Sequence, residues 1–130
     1  MSLPATVEFT ATLGGQPTTI CCQRYADYLF LVVTQLPTFG TLVEARAVRS
    51  LDGKESVTIR TLLGERDSDI AALCARVALE CTRAAAGSGG GCALPVLLSL
   101  GLRPENARVE VARELKALLE ERQPWAAAAT

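Results

Sequence analysis

The stretch DYLFLVVTQ at residues 27–35 is apolar on both faces of the strand that it predicts. Successive side chains of a strand point to opposite faces, so Leu29 and Leu31 face one side while Phe30 and Val32 face the other. A strand of this kind is typical of the centre of a sheet that is covered on both sides. The stretch therefore predicts a layered protein built around a central sheet.

The segments on either side of this stretch are β-prone, and most of them alternate apolar with polar residues, as half-buried strands do. Gly14-Gly15 suits a tight hairpin, because the central residues of such a turn need positive φ, and Asp52-Gly53 marks another turn. Five strands joined by short turns predict an antiparallel meander. The predicted strands are residues 6–13, 16–24, 27–35, 41–48 and 55–63.

After Gly64 the apolar period changes from two to 3.6 residues, which predicts a helix. Asp67 or Ser68 can cap this helix, and it ends near Ala86. A flexible Gly-rich connection follows at residues 87–91. The apolar stripe of the helix consists of Ile70, Leu73, Cys74, Val77 and Cys81.

The rest of the chain predicts one more strand and one more helix. Residues 93–100 are again apolar on both faces. Pro104 suits the first turn of the second helix, and Pro124 ends it. The apolar face of this helix consists of Val111, Ala112, Leu115, Leu118 and Leu119.

Strands followed by helices predict an α+β fold: a six-stranded antiparallel sheet with two helices on one face. Residues 1–130 form a single domain, with 126–130 as a disordered tail. Two helices of this length can cover only one face of such a sheet. Since two strands are apolar on both faces, the second face needs another cover, either a sandwich formed by the sheet itself or, as we favour, a partner subunit.

Composition excludes several classes of function. The chain has 130 residues, 49 % of them apolar, and a formal net charge of −1 with no basic stripe, which argues against nucleic-acid binding. The longest apolar run, 28–33, is too short to span a bilayer, and the N-terminus predicts no signal peptide. The absence of histidine removes the commonest general base and metal ligand, so catalysis and cofactors are not expected.

The cysteines predict a reducing environment. Their odd number and the lack of a CxxC pair argue against a disulfide framework or a zinc site, so we expect buried free thiols. A cytoplasmic location follows, with the nucleus as an additional one. The five cysteines are Cys21, Cys22, Cys74, Cys81 and Cys92.

Several exposed groups are candidates for binding a partner protein. Phe39 either tucks under its own turn or serves as an aromatic anchor, and Trp125 allows the same two interpretations, with packing against the sheet favoured. Charged side chains on the strands and on the second helix form either a solvated face or a binding surface. They are Glu44, Arg46 and Arg60 on strands and Glu110 and Glu114 on the helix.

Two features could suggest ligand chemistry. The Gly-rich segment runs from a helix into a strand, the wrong context for a phosphate loop. Glu65, Asp67 and Asp69 could bind a hard cation such as Mg²⁺, but acidic residues are also typical of a helix N-terminus, which is the interpretation we favour.

The order and spacing of short motifs resemble the proteasome assembly chaperone 3 family. LFLVVTQ at 29–35 and GTLV at 40–43 are similar to the central hairpin of that family, and TLLG at 61–64 leads through an acidic spacer into the first helix in a similar way. The resemblance spans about residues 6–125. The sequence departs from the family in an expanded loop at 87–91 and an alanine-rich tail.

The resemblance implies an α+β chaperone that dimerises with itself or with a related fourth chaperone. It also implies binding to α-type subunits of the 20S proteasome, chiefly the fifth, and no active site. One alternative is a dimeric scaffold of another complex. The other is a small enzyme or ligand-binding domain that uses Glu65, Asp67 and Asp69.

Overall fold

The computed structural model describes residues 6–37, 40–65, 68–87 and 94–127. They form one six-stranded mixed sheet, three α-helices and a 3-10 turn at Pro104–Asn106. The strands are β1 (Thr6–Leu13), β2 (Gln16–Arg24), β3 (Leu29–Thr34), β4 (Thr41–Arg49), β5 (Glu55–Leu63) and β6 (Val96–Gly101). The helices are α1 (Asp69–Gly87), α2 (Val109–Arg122) and α3 (Pro124–Ala127). The predicted α+β class is confirmed.

The order of strands corrects the predicted meander. The sheet has the order β1-β2-β3-β6-β4-β5, so β6 lies between β3 and β4, parallel to the first and antiparallel to the second. The sheet is therefore mixed and not fully antiparallel. The connection at residues 35–40 can cross the width of β6, since six residues reach about 20 Å and two strand spacings amount to about 10 Å.

The connection from β3 to β4 passes directly against β6 at Gly40. A Cβ atom built on Gly40 would overlap the carbonyl oxygen of Leu100, so no larger residue fits without movement of the backbone. At the other end of the connection, the backbone N–H of Gln35 donates to the carbonyl oxygen of Gly101 at 2.7 Å. These two contacts place both ends of the connection next to the end of β6.

Helix α1 begins at a side-chain cap, since the N–H of Ala71 donates to Oγ of Ser68 at 3.2 Å. Asp67, the alternative cap, lies outside the described residues. The predicted stripe needs a correction, because Ile70, Leu73 and Val77 are only partly buried. Since α1 packs against β4, β5, β6 and also α2, it buries a broader and differently oriented face. That face consists of Ala71, Cys74, Ala75, Ala78, Leu79, Cys81 and Thr82.

The second predicted helix is confirmed with two changes at its ends. Pro104 begins the separate 3-10 turn, and α2 starts only at Val109. Gln123 adopts a left-handed conformation with φ 42° and ends α2, after which Pro124 starts α3. The predicted apolar face holds, with Val111, Ala112, Leu115 and Leu119 buried and Leu118 partly buried.

Trp125 packs into the core as predicted and is 1 % exposed. Its helix, α3, contacts β1 and β2. Ala126 and Ala127, which belong to the predicted tail, lie in α3, whereas residues 128–130 fall outside the described residues. Across the part of the chain that the structure describes, no helix combines the length and apolarity that crossing a membrane requires.

Three of the described cysteines are buried: Cys22, Cys74 and Cys81. Cys21 is partly buried, and Cys92 lies outside the described residues. Burial raises the pKa of Cys74 from 9.0 to about 12. Burial also raises the pKa of Cys81 to about 11. Both side chains therefore behave as small apolar groups at neutral pH.

Alkaline pH should destabilise the fold through Cys74. The folded state holds this thiol protonated up to about pH 12. The contribution of the thiol to the free energy of unfolding is therefore complete below about pH 9 and is lost as the pH rises from 9 toward 12. The free energy of unfolding should fall by about 1.4 kcal/mol per pH unit in this window for each such thiol. Urea unfolding at several pH values measures the slope. Cys74→Ala should reduce this slope. An identical slope in this variant would contradict the assignment of the pH dependence to Cys74.

Candidate functional site

One face of the sheet is left without a covering layer by the described residues. The strand residues that point toward the helices form the core, including Leu31, Val43 and Leu98. Successive side chains of a strand point to opposite faces, so the residues next to these core residues in sequence lie on the other face of the sheet, which we call the open face. It includes Cys21, Phe30, Val32, Leu97, Ser99, Leu42, Glu44, Arg46, Arg60 and Leu62.

The strand register arranges the open face in rows. In the first row, neighbouring strands pair Gln23 with Phe30, Phe30 with Leu97, Leu97 with Glu44, and Glu44 with Arg60. The row is therefore apolar in the middle, on β3 and β6, and polar at both ends. Phe30 and Leu97 are only partly buried in the isolated chain.

The second row is charged only at its β1 end. It runs from Glu8 on β1 through Cys21, Val32 and Ser99 to Leu42 on β4. Cys21, Val32 and Leu42 are partly buried, while Ser99 is buried. The two rows together form an apolar centre flanked by charged and amide side chains. An apolar core with a polar rim is the usual anatomy of a protein–protein interface.

The thiol at this centre is held in its protonated form. Burial, and secondly the negative charge of Glu8, raise the pKa of Cys21 above its usual value. A thiol with a raised pKa stays protonated at neutral pH, and the thiolate is the reactive form. The arrangement therefore favours burial of apolar surface against a partner and not covalent chemistry.

The charged end of the first row brings three predicted residues together. A carboxylate oxygen of Glu44 lies 3.6 Å from a terminal guanidinium nitrogen of Arg60 and 3.7 Å from Nε of Arg46. The Glu44 side chain is 23 % exposed and both arginines are more exposed. Exposed pairs of this kind contribute at most about 1 kcal/mol to stability. Their more important effect is to select a partner with complementary charge.

A depression of about 260 Å³ lies beside this charged end. Its lining includes Asp27, Tyr28, Leu62 and Leu97 together with the charged pair of Glu44 and Arg46. The ring of Tyr28 stacks on that of Tyr25, with centroids 4.7 Å apart. The open face is thus not flat, and this end of it can receive a protruding side chain.

The other predicted binding residues lie elsewhere. Glu110 and Glu114 are exposed on α2, on the helical side of the sheet, so they do not share a surface with Glu44. Glu114 also has a structural contact, because its carboxylate accepts a hydrogen bond from the N–H of Gly14 at 3.2 Å. Phe39 lies outside the described residues, and its role stays a prediction.

The alternative cation site also stays a prediction, because Asp67 lies outside the described residues. Glu65 is exposed, and its N–H donates to Oγ1 of Thr41 at 3.3 Å. Asp69 is the first residue of α1. Among residues whose placement is described, no three His, Cys, Asp or Glu side chains come close enough to hold a metal ion.

The residues that sequence reasoning missed are the apolar ones at the centre of the open face, chiefly Phe30, Val32 and Leu97. The signal was present, because two-sided apolarity predicted an uncovered apolar face. The helices cover only one of the two apolar faces of these strands, and the sequence does not show which one. It therefore does not show which side chains stay uncovered.

Comparisons with known proteins connect this surface to one family. The family described as proteasome assembly chaperone 3 matches residues 31–122. A protein from Bos taurus named proteasome assembly chaperone 3 is 30% identical over 118 residues, which cover 89% of this chain and 90% of that protein. The resemblance noted from the sequence motifs is confirmed.

A solved structure shares the fold. It is described as a crystal structure of a novel chaperone complex for yeast 20S proteasome assembly. The match has a TM-score of 0.61 and covers 87% of this chain and 95% of that one. At 13% sequence identity the likeness establishes the fold and nothing further.

Proposed function

Because the chain belongs to the proteasome assembly chaperone 3 family, we propose that it is a non-catalytic chaperone that binds α-type subunits of the 20S proteasome and promotes α-ring assembly as a dimer. The observation that carries the dimer is the apolar centre and polar rim of the open face. The proposal also includes a cytoplasmic location, where thiols such as those of Cys74 and Cys81 stay reduced, with the nucleus as an additional one.

Dimerisation through the open face would supply the missing cover of the sheet. Phe30, Val32 and Leu97 are half-buried in the single chain, and a second sheet packed on them would remove the rest of their apolar surface from water. Two copies related by a two-fold axis would present the same surface to each other. The second subunit is either a copy of this chain or the related fourth chaperone.

The α-type subunit, with the fifth as the first candidate, would bind to surfaces that the dimer leaves accessible. An assembly factor has to be released, so a modest and largely polar contact suits it better than the larger apolar interfaces of permanent complexes. Arg46 and Arg60 at the polar rim of the open face, and separately Glu110 and Glu114 on α2, are exposed charged groups that can make such a contact at the edge of the dimer or outside it.

Binding to α-type subunits should weaken as the salt concentration rises, because exposed charges are screened within about 8 Å at physiological ionic strength. A pull-down with tagged protein at low and high salt, followed by identification of the bound chains, measures this. We expect α subunits without mature β subunits at low salt and less α subunit at high salt. Recovery of an unrelated complex would instead favour a scaffold function.

Two charge reversals locate the contact. Arg60→Glu changes the charged end of the open face, and Glu110→Arg changes the exposed side of α2. The variant that loses α-subunit binding while keeping the dimer identifies the surface involved. The absence of every proteasome subunit at low salt, from a lysate that contains assembly intermediates, would refute the proposed function.

A further inference from the structure

The hairpin formed by β4 and β5 protrudes from the sheet. Strand β6 pairs with β4 only from Thr41 to Ala45, whereas β4 continues to Arg49 and pairs there with β5 alone. Residues 46–58 therefore form a two-stranded ribbon beyond the edge of the six-stranded part. The turn at its tip spans Ser50–Lys54.

The turn is held by its own hydrogen bonds. The N–H of Gly53 donates to the carbonyl oxygen of Ser50 at 3.0 Å, and the N–H of Ser50 donates to that of Lys54 at 2.8 Å. The N–H of Lys54 also donates to a carboxylate oxygen of Asp52 at 3.0 Å. Gly53 has a φ of +86°, as a type I turn followed by a left-handed glycine requires. The tip is thus preorganised.

The end of the ribbon next to the turn is tied to α1. Glu55 accepts from Arg49 at 3.5 Å and also pairs with Arg83 of α1. These ion pairs orient the hairpin relative to the helical layer. A side chain at the tip is therefore presented in one direction.

Leu51 occupies the tip and has a relative exposure of 111%. Single exposed leucines are common on protein surfaces. This one differs because turns of this kind favour polar residues and because the surrounding backbone is fixed. When a partner binds such a side chain, little conformational entropy is lost in ordering the loop, which is the advantage of a preorganised anchor.

The surroundings of Leu51 are basic, although the whole chain has a net charge of −1. Arg49 and Lys54 flank the tip and Glu55 brings Arg83 of α1 close to it, whereas only two acidic residues, Asp52 and Glu55, lie there. Both acids are already engaged, Asp52 within the turn and Glu55 with two arginines. An apolar tip with a basic surround complements an apolar pocket with an acidic rim.

We propose that the tip of the β4–β5 hairpin is a docking anchor that places Leu51 in an acid-rimmed apolar pocket of the partner protein, apart from the apolar centre of the open face. This proposal rests on the proposed function in one respect, namely that the partner is an α-type proteasome subunit. It adds which part of the chaperone makes the contact and what kind of pocket on the partner binds it.

The test compares Leu51→Ser with Val109→Ser, which alters an apolar residue of 51% exposure on α2. The probe is a panel of individually purified α-type subunits, and binding to the full-length chaperone is titrated. Leu51→Ser should weaken binding at least about tenfold, as loss of an interface anchor does. Val109→Ser should bind like the wild type, and Leu51→Met should retain most of the affinity.

Lys54→Glu provides a second test that does not change the apolar tip. Charge reversal beside an acidic rim should weaken binding and reduce its dependence on salt. The thermal midpoint and the dimer dissociation constant should stay unchanged in all variants, since Leu51 and its neighbours are exposed.

The outcomes separate the two proposals. If the wild type binds an α-type subunit and Leu51→Ser binds it with equal affinity, the proposed anchor is overturned and the proposed function stands. Equal weakening by Leu51→Ser and Val109→Ser also overturns it, because the effect would then not be specific to the tip. A wild-type protein that binds none of the α-type subunits overturns both proposals.

Discussion

Val32→Asp should convert the dimer into a monomer without unfolding the chain. Val32 lies in the second row of the open face, between Cys21 of β2 and Ser99 of β6. In the dimer this substitution would bury a carboxylate with no partner, which costs several kcal/mol. The dimer dissociation constant should rise at least about a hundredfold. In the monomer the same side chain is only partly buried, so the fold can accommodate it.

Sedimentation velocity over a dilution series measures this change, and circular dichroism verifies the fold. Val109→Asp is the matched control, because it places the same charge on an exposed valine at the start of α2, where a helix N-terminus favours an acid. A wild-type chain that is strictly monomeric at tens of micromolar, with no paralogue able to complete it, would contradict the proposed dimer. So would a Val32→Asp variant that dimerises normally.

Leu115→Ala should destabilise the fold by about 2–5 kcal/mol, since it removes a fully buried side chain from the contact between α2 and the rest of the core. Leu73→Ala should cost less, because Leu73 is only partly buried. The sequence places both side chains on the apolar faces of their helices, and the packing of α1 separates them.

Urea unfolding of each variant measures the difference. Arg113→Ala is the control on the exposed side of α2 and should stay within about 0.5 kcal/mol of the wild type. Equal losses from Leu115→Ala and Arg113→Ala would mean that the helix is oriented differently from the structure.

The sequence predicts strands well where alternation is regular. The predicted bounds of β1, β2 and β5 agree with the structure, because one buried and one exposed face produce a clear period of two. The bounds of β6 are less accurate, since residues 93–100 are apolar throughout and no alternation marks where pairing starts. The start of α2 was missed because Pro104 suits both a helix and a 3-10 turn.

The order of strands was harder to predict than their positions. A short turn between β3 and β4 suggested a hairpin, although the same number of residues can also cross over β6. The overlooked signal was that β3 and β6 are the two strands with apolar residues on both faces. Such strands favour adjacent inner positions, and parallel pairs in particular are covered on both sides.

The candidate site was predicted in part. Glu44, Arg46 and Arg60 lie together because alternation places them on one face of adjacent strands. Glu110 and Glu114 lie apart because α2 packs on the other side of the sheet. Leu51 was missed since it precedes Asp52-Gly53 in a turn, where sequence patterns predict backbone conformation and do not identify what protrudes.

The position of β6 between β3 and β4 determines when the six-stranded sheet can form during synthesis. Residues 6–63 supply two separate antiparallel units, β1 to β3 and β4 with β5, and the seam between them closes only when residues 96–101 have left the ribosome. Until then the facing edges of β3 and β4 are unpaired, which exposes a nascent chain to aggregation. The open face is also built last, because Leu97 and Ser99 join its rows. A truncated chain that ends before β6 therefore lacks not only a strand but also the middle of the surface by which we propose that this chaperone recognises its second subunit.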